Sequence, residues 1–448
     1  MFNIKYITKT FSLAWPIILG QLGTILMGFT DILFVGKLGH DKIATAGSAN
    51  SIYFFVAIVG MGIMLAVSAL VARYKGEESE EKIKNILPSA IWTAIISGFI
   101  FTIILLVFAN NYIWFKQPNE VTIQAPNYLR IWAFSTIPLL IAMGLKSFCD
   151  GLEFTKVGMY ITFGGLGLNC ILNYAFIWGN LGMLELGFEG SAWATFTTRC
   201  LMAIAMLIYI VTHKELKKYF VLSNIFNFSE VRHILNLGLP SGLQYLFEVG
   251  AFAGAALLMG NISVVSGAAH QVALNLAAVT YMAATGFSAA GSIMTGNALG
   301  RHHKKDIYES GVSTLLIILC FMGVNAIAFI LFRNQLPYIF TEDVEVVKLS
   351  ASLLFIAAIF QLSDGTQCVA LGILRGINDT KIPTIVTLIA YWVIGLPLGY
   401  YLGFIAGYKA MGVWIGLSVG LTFSAIFLNW RFFYLLKNIT FSEPEKEQ

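Results

Sequence analysis

Residues 11–35 read FSLAWPIILGQLGTILMGFTDILFV. The run exceeds the about 20 apolar residues that a helix needs to cross a bilayer. It contains one charge, Asp31. A carboxylate in hydrocarbon costs roughly 2.5–3.5 kcal/mol even on insertion scales, and such groups mark ion or proton pathways. The run is too long for the apolar region of a cleavable signal and lacks a small-residue cleavage site followed by polar sequence. It is expected to be a membrane span.

The pattern recurs along the chain. Twelve apolar runs are centred near residues 22, 59, 98, 137, 167, 201, 246, 282, 320, 360, 392 and 424. The 448 residues are 57% hydrophobic and only 12% charged, with mean hydropathy +0.76. A soluble chain would be about 25% charged. The longest polar gaps, near residues 73–86 and 213–232, leave no room for a soluble domain. An all-α membrane protein of twelve spans is therefore expected.

Net charge is +4, and its distribution sets the topology. With the N-terminus inside, twenty of the 28 basic residues fall in cytoplasmic segments and six in outer ones. Arg130 and Arg199 lie within helices. Such a bias orients both termini to the cytoplasm of a plasma (inner) membrane, so the basic residues are topology signals and not a nucleic-acid surface. The five cysteines lie in or at the ends of apolar runs without a CxxC pair, as small packing residues rather than metal ligands.

The chain matches itself at an offset of about 224. Pro16, Gly36, Gly62 and Gly76 correspond to Pro240, Gly260, Gly286 and Gly300. Gly151, Thr155 and Lys156 correspond to Gly376, Thr380 and Lys381, and Trp193 to Trp414. Six spans per half is an even number, so the repeat is parallel: lobes 1–215 and 216–448, joined by a polar loop near 213–230. Such halves commonly alternate access to a site between them. The buried acids break the repeat, since Asp31 corresponds to Ala255 and Glu248 to Thr24.

At about 1.5 Å rise per residue, Asp31 lies roughly 8 Å below the outer end of the first span. Asn173 in the fifth span and Thr195 in the sixth fall in the same layer. Asn169 lies one turn below Asn173 on the same face. These four form a candidate oxygen-lined pocket for a proton or hard cation. Glu248 sits about 18 Å from the outer end of the seventh span, near the midplane, and Asp364 lies at similar depth in the tenth. Both are candidates for cation or proton exchange, and Na⁺ is a candidate ligand of Asp31, Glu248 and Asp364. Tyr245, Phe247, Tyr281, Phe287 and Phe360 cluster nearby in sequence, and aromatic faces beside an acid suit an organic cation. Pro16 removes a backbone hydrogen bond from the first span, and with Gly20, Gly23, Gly28 and Gly36 it makes a candidate hinge.

Four local patterns in this order resemble the multidrug and toxic compound extrusion (MATE) family, in its NorM-like branch. They are Trp15-Pro16 with Gly-Phe-Thr-Asp31 and Val-Gly36-Lys-Leu-Gly39, then Asn169 and Asn173 before Gly-Ser-Ala-Trp193-Ala-Thr195. Gly238-Leu-Pro240 leads into Glu248, and Asp364-Gly-Thr-Gln367 continues to Gly372-Ile-Leu-Arg375-Gly376. The resemblance covers nearly the whole chain. It implies an antiporter and not an enzyme, exporting cationic amphipathic compounds in exchange for Na⁺ or H⁺ by rocker-switch alternating access. No cofactor beyond the coupling ion is implied. It also implies coupling roles for the acids at 248 and 364, and for Asp31 with its asparagine network. Where some relatives carry a second acid four residues after the helix-5 asparagine, this chain has Ile177.

The alternative within the superfamily is a lipid-linked or other narrow-substrate exporter or flippase. A major-facilitator protein would show Gly-x-x-x-Asp-Arg after the second span, where Arg73-Tyr-Lys-Gly-Glu-Glu stands. An intramembrane enzyme would show HExxH, paired Gly-x-Gly-Asp acids or a His/Ser dyad in the helices, and none is present. Nothing in the sequence calls for an oligomer, so a monomer in the bilayer is expected.

Overall fold

The computed structural model describes residues 4–220, 226–439 and 441. Lys446 of the charge pattern and residues 221–225 of the connecting loop lie outside the described residues. Among the described residues, twelve helices are long and apolar enough to cross a membrane. They are α1 (Ile4–Gly36), α2 (His40–Gly76), α3 (Glu80–Asn110), α4 (Asn119–Gly151), α5 (Thr155–Trp178) and α6 (Glu189–Thr212). The second six are α7 (Phe228–Ile262), α8 (Val264–Gly300), α9 (Lys304–Phe332), α10 (Val344–Gly376), α11 (Lys381–Ile405) and α12 (Lys409–Asn438). No strand occurs among the described residues. With no water to serve an open backbone, helices are the economical way for such sequence to cross lipid.

The repeat is visible in backbone conformation. Glu78 after α2 and His302 after α8 share φ 54°, while Glu153 after α4 and Asn378 after α10 have φ 74° and 63°. It is equally visible in packing. Gly151 lies so close to Ser68 and Val71 of α2 that a Cβ would overlap them. Gly376 lies equally close to Ser292 and Thr295 of α8, the corresponding positions at an offset of 224. Small residues at these crossings let helix backbones meet, which is how helices associate in lipid.

The chain forms two compact units, Trp15–Gly242 and Met1–Ala14 with Leu243–Gln448. Their edges differ from the lobe limits at 215/216 because α1 and α7 are each divided, two residues from Pro16 and from Pro240. In the first unit, the N-terminal part of α7 packs on α2, where Gly62 meets the backbone of Gly242 and Gly238 meets Ile63. There, the Tyr74 hydroxyl donates to Glu230 at 3.0 Å. In the other unit the N-terminal part of α1 packs on α8: Phe11 stands edge-on to Phe287 at 5.5 Å, and the Thr10 hydroxyl donates to Met294 Sδ at 3.2 Å.

α11 departs from regular geometry. Residues Ile389–Gly395 and Tyr401–Ile405 are π-helical, with Pro397 between them. All five cysteines are free; Cys149 and Cys368 are buried, whereas Cys320 is exposed.

Candidate functional sites in the two units

In the unit Trp15–Gly242, α5 and α6 approach closely because Gly190 at the start of α6 leaves no space for a Cβ against Phe176 and Ile177. That approach brings Asn169, Asn173 and Thr195 around Asp31 of α1. Asp31 Oδ1 accepts from Asn173 Nδ2 at 2.7 Å and from Asn169 Nδ2 at 3.1 Å. Its Oδ2 accepts from the Thr195 hydroxyl at 2.6 Å. Asn173 Nδ2 also reaches Asn169 O and Oδ1, at 3.0 and 3.2 Å. Asp31 is only 5% exposed, and both asparagines are fully buried. Asp31, Asn173 and Thr195, which the spacing placed in one layer, and Asn169 one turn below thus share one network, and both oxygens of the acid are occupied by donors.

Arg199, one turn along α6 from Thr195, donates to Tyr53 OH at 2.7 Å and to Ser135 Oγ at 2.5 Å. Its guanidinium stands over the Tyr53 ring at 5.0 Å and the Trp132 ring at 5.5 Å. Aromatic faces hold a cation where water is scarce. Among the described residues Arg199 makes no salt bridge, but it lies within electrostatic range of Asp31. The unit also holds a buried carboxylate that the sequence reading passed over. Asp150, near the end of α4, is ion-paired with Lys146 at 2.9 Å, four residues earlier. Its closeness to a helix end hid it among loop charges, although the i, i+4 lysine was a visible signal.

In the other unit, Glu248 of α7 is 5% exposed. Its Oε2 accepts from Tyr281 OH at 3.1 Å and its Oε1 from Gln367 Nε2 at 3.4 Å. Gln367 Nε2 also donates to Tyr391 OH, and that hydroxyl stands in hydrogen-bonding reach of Glu248. Asp364 of α10 is 6% exposed. Its Oδ1 has no hydrogen-bond partner among the described residues, and its neighbouring charge is Glu248. Gln361 and Gln367 lie one turn to either side on the same face of α10. The Gln361 amide has neither atom partnered, and Gln367 Oε1 is likewise free. Their spacing of three from Asp364 was the sequence signal for these two residues.

The five aromatics do not gather into one group. Tyr281 is a hydrogen-bond donor to Glu248. Tyr245 is bonded to the buried Arg375. The Phe247 carbonyl accepts from Trp392 Nε1 at 3.0 Å. Phe287 packs between Phe11 and Phe321, and Phe360 packs against Trp414 at 5.6 Å. The last two fill the core, as large apolar rings at helix crossings do. His270 is also a packing residue, accepting from Trp414 Nε1 at 3.1 Å. Among the described residues no group of three or more His, Cys, Asp or Glu is placed to hold a metal ion. The polar partners of the acids are amides and hydroxyls.

The MatE family model matches residues 16–175 and 240–401, once in each half. The chain is 33% identical to the probable multidrug resistance protein NorM of Mesorhizobium japonicum, over 94% of this chain and 92% of that one. It is 32% identical to the multidrug resistance protein MdtK of Proteus mirabilis, over 96% of each. Among solved structures, an outward-facing multidrug resistance MATE family transporter superposes with TM-score 0.89 at 19% identity, covering 98% of this chain and 97% of that one. A eukaryotic MATE transporter gives TM-score 0.88 at 19% identity, over 98% and 96%. These two share the fold. The twelve spans, the doubled match and the identity along nearly the whole length agree: the chain is a multi-pass membrane protein that belongs to the MATE family, in its NorM-like branch.

Proposed function

We propose that the protein exports cationic amphipathic compounds in exchange for Na⁺ or H⁺, by rocker-switch alternating access, as a monomer with both termini in the cytoplasm. The observation that carries this reading is the state of its three buried acids. Asp31, Glu248 and Asp364 form no salt bridge among the described residues. A buried carboxylate without a counter-charge is costly, and a transported cation or proton is its natural partner. Relatives bearing multidrug resistance names support the substrate class.

The two units favour different ions. Donors already fill both oxygens of Asp31, an arrangement suited to exchanging a proton for hydrogen bonds. Asp364 Oδ1, Gln361 Oε1 and Gln367 Oε1 are unpartnered oxygens on one helix face, the donor set of a hard cation such as Na⁺. Cation and drug must then lower each other's affinity by the same factor.

Purified protein in liposomes loaded with ethidium tests this under an imposed Na⁺ gradient and, separately, a pH gradient. Efflux driven by either gradient is expected, with the Na⁺ response lost in Asp364→Asn. No efflux under either gradient would overturn antiport and favour a flippase or narrow-substrate exporter of the same superfamily.

A further inference from the structure

Among the described residues, α11 is the one span whose hydrogen-bond ladder widens to π geometry, and it does so twice. π-turns are less stable than α-turns and persist where something holds them. Two bonds hold the first. Tyr391, fully buried, accepts from Gln367 and reaches Glu248. Trp392 Nε1 donates to the Phe247 carbonyl at 3.0 Å. In an α-helix, adjacent side chains diverge by about 100°. The wider turn brings two neighbours to bear on α7 together.

Beyond Tyr391, α11 meets α12 through glycines. Gly395, Gly399 and Gly403 recur every four residues, as do Gly412, Gly416 and Gly420 on α12. A Cβ at Gly416 would overlap Gly395 and Gly399, and one at Gly412 would overlap Leu402 and Gly403. The contact is therefore backbone on backbone. Interlocked side-chain ridges, which normally fix the rotation of one helix on another, are missing from it.

We propose that Tyr391 is a positioning residue that ties the geometry of α11 to the charge on Glu248. While Glu248 is an open carboxylate, it accepts from Tyr391 and the π-turn is held. When a cation or proton occupies the acids, that acceptor is withdrawn. Residues 389–395 then relax toward α-helix, and α11 turns on its glycine contact with α12. The proposal rests on the antiport reading for its cation and on the π segment for its mechanism.

Tyr391→Phe removes only the hydroxyl. In liposomes it is expected to shift the cation concentration for half-maximal ethidium release by about tenfold, the effect of one hydrogen bond to a charged group. Tyr400→Phe, which removes a hydroxyl from an exposed position of the same span, should leave that concentration within about twofold. Amide hydrogen exchange over residues 389–395 gives a second readout that needs no transport. Wild type should exchange more slowly there when Na⁺ is added at fixed pH, as the weaker π-turn gives way to α-helix, and Tyr391→Phe should exchange slowly from the start. A Tyr391→Phe protein with wild-type cation dependence and wild-type exchange would overturn the proposal. A wild type with no cation-driven release would instead overturn antiport, while the exchange comparison still decides whether Tyr391 holds the π-turn.

Discussion

The site around Asp31 and the site around Glu248 and Asp364 occupy the two halves of one repeat, yet they are built oppositely. Asp31 is surrounded by three donors and has no free oxygen. Glu248 is similarly supplied, but Asp364 beside it has an oxygen that nothing among the described residues serves. The crossings at Gly151 and Gly376, in contrast, fall on corresponding positions in both halves, Ser68 and Val71 in one and Ser292 and Thr295 in the other. Duplication has kept the scaffold and left the polar chemistry to each half separately. Close packing and buried polar groups thus occupy different positions of the same helices.

The sharpest way to break this comparison is to neutralise the two acids in turn. Asp31→Asn places an amide NH₂ against donors that already point at it. It should abolish drug resistance in cells while the protein still reaches the membrane, and lower stability by about 1–3 kcal/mol. Asp364→Asn should also remove Na⁺-driven efflux, but thermal unfolding in detergent should find it as stable as wild type or more so, because no donor is orphaned. Equal thermal shifts for the two would erase the distinction between a served and a bare carboxylate.

The shared scaffold predicts a smaller and matched pair of effects. Gly151→Ala and Gly376→Ala each press a methyl into the facing helix, and overpacking of this kind costs typically 1–3 kcal/mol. Unfolding midpoints should fall by similar amounts in both. A large drop in one alone would mean that the packing symmetry of the halves is not an energetic one.

The smallest effect lies in the turn after α2. Glu77 follows α2, where partial burial pushes its carboxyl up, but bonds from Lys82 at 2.6 Å and Arg73 at 2.8 Å outweigh burial and hold it below the usual glutamate range. A depressed carboxylate stabilises the fold above its unfolded pKa of about 4.3 and loses that contribution as pH falls through the folded value. At the corresponding position after α8, 224 residues on, stands Arg301, paired with Asp306 at 2.9 Å. Glu77→Gln should therefore lower stability by a fraction of a kcal/mol at neutral pH, and the difference from wild type should vanish in strong acid. A difference that persists below pH 3 would assign the effect to packing.

Much of this was legible in the chain. Span count follows from hydrophobic length, and the repeat from glycines and prolines at matched positions, of which Gly62, Gly151 and Gly376 stand at close crossings. The Asp31 network was readable because Asn169 and Asn173 obey the four-residue helical spacing and Asp31, Asn173 and Thr195 fall in one depth layer. Tyr391 was not readable. Its approach to Glu248 depends on a π-turn, and regular helical spacing places nothing there. Asp150 was missed for its position beside a helix end. The division of α1 and α7 also escaped, since a long apolar run carries no mark of which neighbours each half will touch.

That division bears on how the protein is made. The unit Trp15–Gly242 needs the first turns of α7 against Gly62, so it is not complete when α6 leaves the ribosome. Residues 4–14 are synthesised first but find their packing partner, α8, only some 270 residues later. Each half thus holds a segment of helix for which the other must wait. A chain cut at residue 215 would part the glycine contact of α2 from the start of α7, so the unit Trp15–Gly242 is complete only where both pieces are present.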